Sequence, residues 1–302
     1  MKFADGHSDF LSKAIDLPKD RWDVLASNPE KLKKGCSVFQ IYAIFVSTDS
    51  LPAKKALRQV QLFKELEVKK VFSASDVPDP DDDELHVMLA LEGLYPIDGY
   101  PELLYIFHDL GVRMASLVWS RINHFADGSL FAMSPTGRGL SPYGRVALKI
   151  MEELGWILDV SHLNDPGIRD ALRSFQGMVV ATHSCSRALC DMERNLPDDL
   201  AREIAERGGI IGVNFSPRFL TCEGRATVDD LLRHIEHFVG VAGEDHVGLG
   251  SDFDGLPSYP EGLESAEKLP FLGEKLVERF GKDVAEKIAY KNWLRVVKES
   301  LK

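Results

Sequence analysis

What this chain lacks narrows its function before any motif is read. Cationic excess is missing: 36 Lys and Arg stand against 47 Asp and Glu, a formal net charge of -11. No basic field would draw phosphates, so neither nucleic acid nor an anionic membrane is expected as a partner. No apolar run approaches the roughly 18 residues of a membrane span. A basic stretch followed by an apolar one is also missing from the start, so no leader is expected. Cysteine is sparse. Cys36, Cys185, Cys190 and Cys222 show no Cys-x-x-Cys spacing, so free thiols are expected rather than a disulfide framework, and the lack of a leader-like or membrane-spanning stretch leads to the expectation of a cytoplasmic protein. Signatures of other catalytic classes are absent too: there is no Gly-x-Ser-x-Gly elbow, no Walker loop and no His-Glu-x-x-His.

What is present suits one large α/β domain spanning 1–302, since 302 residues at 44% hydrophobic composition can bury a sizeable core. Strand-like runs stand at 2–4, 37–47, 86–91, 112–119, 156–160, 178–182, 209–215 and 246–250. Helical patterns separate them. One, at 53–70, places Leu57, Val60, Phe63 and Leu66 at spacings of three; the last segment, 266–301, holds two patterns parted near Gly281. Eight such alternations without a composition break predict a (β/α)8 TIM barrel. A doubly wound open sheet is the alternative, disfavoured because no Gly-x-Gly-x-x-Gly follows the first strand. The acidic stretch 76–84 reads as a solvated turn, and Lys31, Lys33 and Lys34 as a solvated helix face.

Polar residues recur where the strand-like runs end. His7 and Asp9 stand at i and i+2, on one face of an extended strand; Glu92, His162, His183 and Asp252 follow later runs. Singly, each has an ordinary reading as a cap, a hydrogen-bonded imidazole or a solvated carboxylate. In a barrel, however, all these ends meet at one rim. Three histidines and three carboxylates there suit a two-metal hydrolytic site, where one carboxylate bridges two cations and the water between them is acidified. Cys185, two residues after His183, reads as a buried thiol rather than a ligand, and His234 with His237 as a surface helix pair.

The strings DGHSD at 5–9, LEG at 91–93, DVSH at 159–162, THS at 182–184, RNLPDD at 194–199 and GSDFDG at 250–255 occur in that order. Together they resemble the renal (membrane) dipeptidase family, peptidase family M19, a branch of the amidohydrolase-like metal barrels. The resemblance implies a binuclear zinc dipeptidase with two Zn2+ per chain. His7 and Asp9 would hold one ion and His162 and His183 the other, with Glu92 bridging both as part of the catalytic centre. It further implies that Asp252 shuttles the proton from the bridging water to the leaving amine, and that Arg194 receives the substrate's terminal carboxylate. Members cleave short peptides and often accept a C-terminal D-residue.

Two positions depart from the family pattern. Val118-Trp119 stands where Thr-His is common, and Phe219 where a tyrosine hydroxyl contacts the carboxylate. Trp119 is therefore expected to form an apolar wall for the substrate, with Arg121, Asn123 or His124, in the polar loop 120–138, as replacement donors. Arg194 has its own alternative, pairing with Asp191, Asp198 or Asp199. Two further functions stay open: a related metal hydrolase acting on a lactone, non-peptide amide or acyl amino acid, and a non-catalytic peptide-binding barrel. A small peptide is the expected partner, and homodimerisation is left open. No apolar C-terminal tail is present, so the lipid anchor of the mammalian enzymes is not expected.

Overall fold

The computed structural model describes residues 1–47, 51–79, 81–129 and 137–301. Its parallel strands are β1 Phe3–Ser8, β2 Ser37–Phe45, β3 His86–Glu92, β4 Val112–Ser116, β5 Ile157–Asp159, β6 Val179–Val180, β7 Ile211–Asn214 and β8 Val247–Gly250. They pair in the order β6-β5-β4-β3-β2-β1-β8-β7, and a parallel bridge from Ala181 to Ile211 brings the two ends together. This is a (β/α)8 barrel, and the doubly wound alternative falls away. Such strands have barrel interior on one face and helices on the other, so they read as continuous apolar runs. In β2, SVFQIYAIF, every residue from Ser37 to Ile44 is buried.

Three local differences from the sequence reading have plain causes. The 53–70 helix runs only from Pro52 to Glu65, and Lys69–Lys70 forms a short strand on β3. A spacing of three falls about 60° behind a 3.6-residue turn at each step, so Leu57 rotates out to 49% exposure while Val60 and Phe63 stay buried. His234 is buried rather than superficial. Its Nδ1 accepts from the Ser186 amide at 2.9 Å and its Nε2 donates to the Leu220 carbonyl at 2.8 Å, so it offers no nitrogen to a metal, while His237 Nε2 pairs with Asp198 at 2.8 Å. The third is Cys190 and Cys222, which form a disulfide with Cα atoms 5.5 Å apart. They lie in segments following the adjacent strands β6 and β7, a proximity that local spacing does not encode. Cys36 and Cys185 are free, and Cys185 is buried with its thiol donating to the Asn214 carbonyl at 3.2 Å.

At the far end of the chain, helices Leu269–Phe280, Lys282–Glu286 and Asn292–Ser300 flank a π-turn, Lys287–Lys291. Trp293 is fully buried and donates its indole N–H to the Leu249 carbonyl at 2.8 Å. Its ring presses on β1 at Gly6, where a Cβ would sit 2.2 Å from it. The glycine of DGHSD is thus a packing requirement that seats the strand bearing His7. Within the acidic turn, Asp82 meets His86 Nε2 at 3.0 Å, and Pro80 lies outside the described residues, as do positions 130–136 of the polar loop. Among the described residues no helix is long and apolar enough to cross a membrane.

Candidate active site

His7 is the last residue but one of its strand, whereas Asp9 has already left the strand, at φ -94° and ψ 18°, to begin the helix Phe10–Ala14. The turn still brings Asp9 Oδ2 to 3.6 Å from His7 Nε2. Glu92 closes β3 and divides its two oxygens between separate partners. Oε2 stands 3.7 Å from His7 Nε2, whereas Oε1 stands 2.9 Å from His162 Nε2 and 3.7 Å from His183 Nε2. Asp252 follows β8, with Oδ1 4.0 Å from His7 Nε2. All six are buried.

Several of these groups are held from behind. Ser120 Oγ lies 2.5 Å from His162 Nδ1. Thr182 Oγ1 lies 2.7 Å from His183 Nδ1 and donates to Asp159 Oδ2 at 2.6 Å. Asn214 Nδ2 donates to Asp252 Oδ2 at 3.0 Å. Such partners fix ring orientation and leave the Nε2 atoms turned inward, as metal-ligating histidines require. His162 and Asp252 adopt positive φ, 73° and 58°. Non-glycine residues held there carry strain of a kind that clusters at functional sites.

The electrostatics call for positive charge. Burial and the neighbouring Asp9 charge push the Glu92 carboxyl up, and burial with Asp9 also raises Asp252, against the pull of His7 and Asn214. Burial drags His7 down, yet Glu92 and Asp9 outweigh it and leave its pKa well above the ordinary value. His162 and His183 are pushed well down, first by burial and then by Arg194 and His7. Three carboxylates and three imidazoles thus crowd a site where His7 Nε2 and Asp9 Oδ1 have no hydrogen-bond partner. Buried polar atoms left unpaired are costly, and divalent cations would satisfy both. Two sets of ligand atoms, His7–Glu92–His183 and His7–Asp9–Asp252, each lie within 4.8 Å of one another. The donor set fits zinc.

A cavity of about 550 Å³ opens over this centre, lined by Asp9, Glu92, His162, Arg194 and Asp252 and walled by Phe45, Trp119, Phe219 and Leu256. Trp119 is half-buried, its ring 5.2 Å from Phe45 and 6.0 Å from His162. The suggested replacement donors lie elsewhere. Arg121 and His124 are exposed, and the Asn123 side chain is spent on the Leu117 carbonyl and the amides of Phe125 and Ala126. Arg194 is buried and donates to Ser184 Oγ and the His183 carbonyl, at 3.1 and 2.8 Å, with a nitrogen 3.3 Å from His162 Nε2, its Nε–H unpartnered and its guanidinium 5.6 Å from the Phe219 ring. It has no carboxylate within ion-pair distance among the described residues. Asp198 pairs instead with His237 and Asp199 with Arg169.

Sequence reasoning missed Ser120, Asp159, Thr182 and Asn214. Asn214 was within its reach, because a polar residue at the end of β7 obeys the same strand-end rule as the others. Asp159 and Thr182 lie inside the DVSH and THS strings without having been given a task.

A parallel barrel with this mouth defines a metal-dependent hydrolase of the TIM-barrel class. The chain belongs to the membrane dipeptidase family, peptidase family M19, whose pattern matches residues 1–302, and it is a metallopeptidase-type hydrolase. It is 35% identical over 294 residues to an uncharacterized dipeptidase of Schizosaccharomyces pombe, covering 89% of this chain and 71% of that protein. Among solved structures it resembles a metallo peptidase from Rhodobacter sphaeroides liganded with a phosphinate mimic of the dipeptide L-Ala-D-Ala. That match has a TM-score of 0.91 at 27% identity and covers 99% of both chains. The metallo peptidase dipeptidase AC matches at TM-score 0.92 and 28% identity, over 100% of this chain and 99% of that one.

Proposed function

We propose that this protein is a binuclear zinc dipeptidase that cleaves free dipeptides and accepts a D-residue at the C-terminal position. The observation that carries it is the pairing, in one cavity, of a carboxylate whose two oxygens face separate histidine sets with a buried guanidinium that has no carboxylate within ion-pair distance among the described residues. His7, Asp9 and one oxygen of Glu92 would hold one ion, and His162, His183 and the other oxygen the second. The ions supply Lewis acidity, lowering the pKa of water and polarising a carbonyl.

The chain's own groups do the rest. Arg194 binds the terminal carboxylate through the planar fork of its guanidinium, setting the peptide bond over Glu92. Asp252, oriented by Asn214, takes the proton of the attacking water and passes it to the departing amine. Phe45 and Trp119 form an apolar wall that displaces water from the substrate side chain. The D-residue reading is supported by the L-Ala-D-Ala mimic bound to the Rhodobacter sphaeroides relative.

A panel of L,L- and L,D-dipeptides, their C-terminal amides, acyl amino acids and a lactone tests the reading, with bound metal measured alongside. Free dipeptides with a bulky apolar side chain should be cleaved about tenfold or more faster in kcat/KM than small acidic ones, since filling an apolar wall is worth 1–3 kcal/mol. Small acidic dipeptides as best substrates would refute the wall's role. Faster cleavage of a lactone or acyl amino acid would point to the sister chemistry, and no cleavage of anything to a binder.

Elemental analysis should give two ions per chain. Glu92→Gln should weaken both sites together, by more than the roughly 10- to 100-fold that loss of an outer hydrogen-bond partner costs a metal. One tight ion surviving in that variant would show that Glu92 serves a single site.

A further inference from the structure

Arg194 sits in a segment that is braced twice to the same neighbour. After β6 the chain folds back on itself: the Leu196 amide donates to the Cys185 carbonyl at 2.8 Å and the Arg187 amide to the Leu196 carbonyl at 3.0 Å. Inside this turn the Asn195 side-chain amide donates to the Cys190 carbonyl at 2.8 Å. It also reaches across to the Phe219 carbonyl at 2.9 Å, in the short helix Pro217–Thr221 that follows β7. Cys190 is bonded to Cys222, the residue that ends that helix.

One brace is covalent and the other hydrogen-bonded, and both join the two segments that set Arg194 beside Phe219 on the cavity wall. His7, Asp9, Glu92, His162 and Asp252 belong to other segments of the chain. His183 stands just ahead of the turn, but its ring is held separately, with Thr182 Oγ1 2.7 Å from its Nδ1. The disulfide is also reachable. Cys190 is buried, but Cys222 is exposed, so an external thiol can attack from that side.

We infer that Cys190, Cys222 and Asn195 are positioning residues for Arg194, and that the oxidation state of the Cys190–Cys222 pair sets how well the cavity holds a substrate carboxylate. This rests on the dipeptidase reading. A dithiol reductant attacks the Cys222 sulfur, forming a mixed disulfide and releasing the Cys190 thiolate, which takes up a proton. The reductant's second thiol then closes its own ring disulfide and releases Cys222, so two electrons and two protons pass from reductant to protein. With the covalent brace open, the ties left between the turn and the helix are non-covalent, Asn195 on the Phe219 carbonyl and the Cys190 sulfur 3.6 Å from the Arg218 carbonyl. The guanidinium then loses its fixed placement while the centre keeps its chemistry.

The test uses the full-length protein in a Cys36→Ser background, so that the exposed free thiol takes no part. Oxidised protein, protein reduced with dithiothreitol and desalted, and the Cys222→Ser variant are compared on the best free dipeptide and its amide. Thiol titration and bound metal are measured on each. Reduction and Cys222→Ser should each raise KM for the free dipeptide about tenfold, a partial loss of a charge-assisted contact whose complete loss costs roughly ten- to 150-fold. The value of kcat should stay within about twofold with metal content unchanged. Asn195→Ala should raise KM in the same direction, and more so once the disulfide is open. Should Cys222→Ser fail to fold, the reduced protein carries the test, and reoxidation should restore KM.

Two titrated thiols with an unchanged KM would overturn the inference. So would parallel loss of kcat and metal, which would mean that the brace supports the whole centre. Preference for the free dipeptide over its amide in the oxidised protein tests the dipeptidase reading separately. If that preference is present and survives reduction, the brace fails while the reading stands.

Discussion

Asp252→Asn is expected to lower kcat by about 10²- to 10⁴-fold, the usual worth of a general acid–base group, with both metals still bound. The amide keeps the shape of the carboxyl and can still accept from Asn214, so the local frame survives, but it cannot take a proton from water. Asp254, two residues on, could by its spacing face the same direction and is the alternative base. The structure separates them. Asp254 accepts from the amides of Ala26 and Ser27 at 2.7 and 3.0 Å and from Ser27 Oγ at 2.6 Å, which ties it to the chain after the first helix. Asp252 alone of the two lines the cavity. Both Asn variants should be assayed at equal zinc loading, where a near-normal Asp252→Asn enzyme would sink the assignment.

Arg194→Met should cut kcat/KM for a free dipeptide by roughly ten- to 150-fold. A charge-assisted hydrogen bond is worth about 1.5–3 kcal/mol, and about 1.4 kcal/mol is a factor of ten. Selectivity distinguishes this from damage: the same dipeptide amidated at its C-terminus, already a poor substrate for the wild type, should scarcely change. Equal loss on both would make Arg194 structural. Preference of the wild type for the amide would remove the dipeptidase function itself.

The barrel was legible in the sequence because buried parallel strands are written as apolar runs and their ends as polar punctuation. His7, Glu92, His162, His183 and Asp252 could be placed at one rim from that grammar alone. What the grammar cannot carry is contact between segments distant in sequence. The Cys190–Cys222 bond, the burial of His234 between Ser186 and Leu220, and the Ser120 support of His162 all depend on how neighbouring loops pack. Nor does spacing say which way a side chain turns beyond a strand end. Asp9 reached the site through a helix-starting turn rather than strand register, and Arg121, Asn123 and His124 turned away from it. Helix limits were legible only to within a turn, as Leu57 illustrates.

Gly255 closes the loop of the last strand against the two acidic side chains it must not disturb. A Cβ at this position would lie 2.2 Å from Asp252 Oδ1 and 2.3 Å from Asp9 Oδ2. Both are short side chains, and Asn214 anchors the first, so neither can retreat without surrendering its place. For anyone redesigning substrate range, position 255 is closed to variation, whereas its neighbours Leu256 and Pro257 face the same space. New specificities are better sought at Phe45 and Trp119, whose rings stand 5.2 Å apart on the cavity wall, where exchange alters the volume offered to the substrate without touching Asp252 or Asp9.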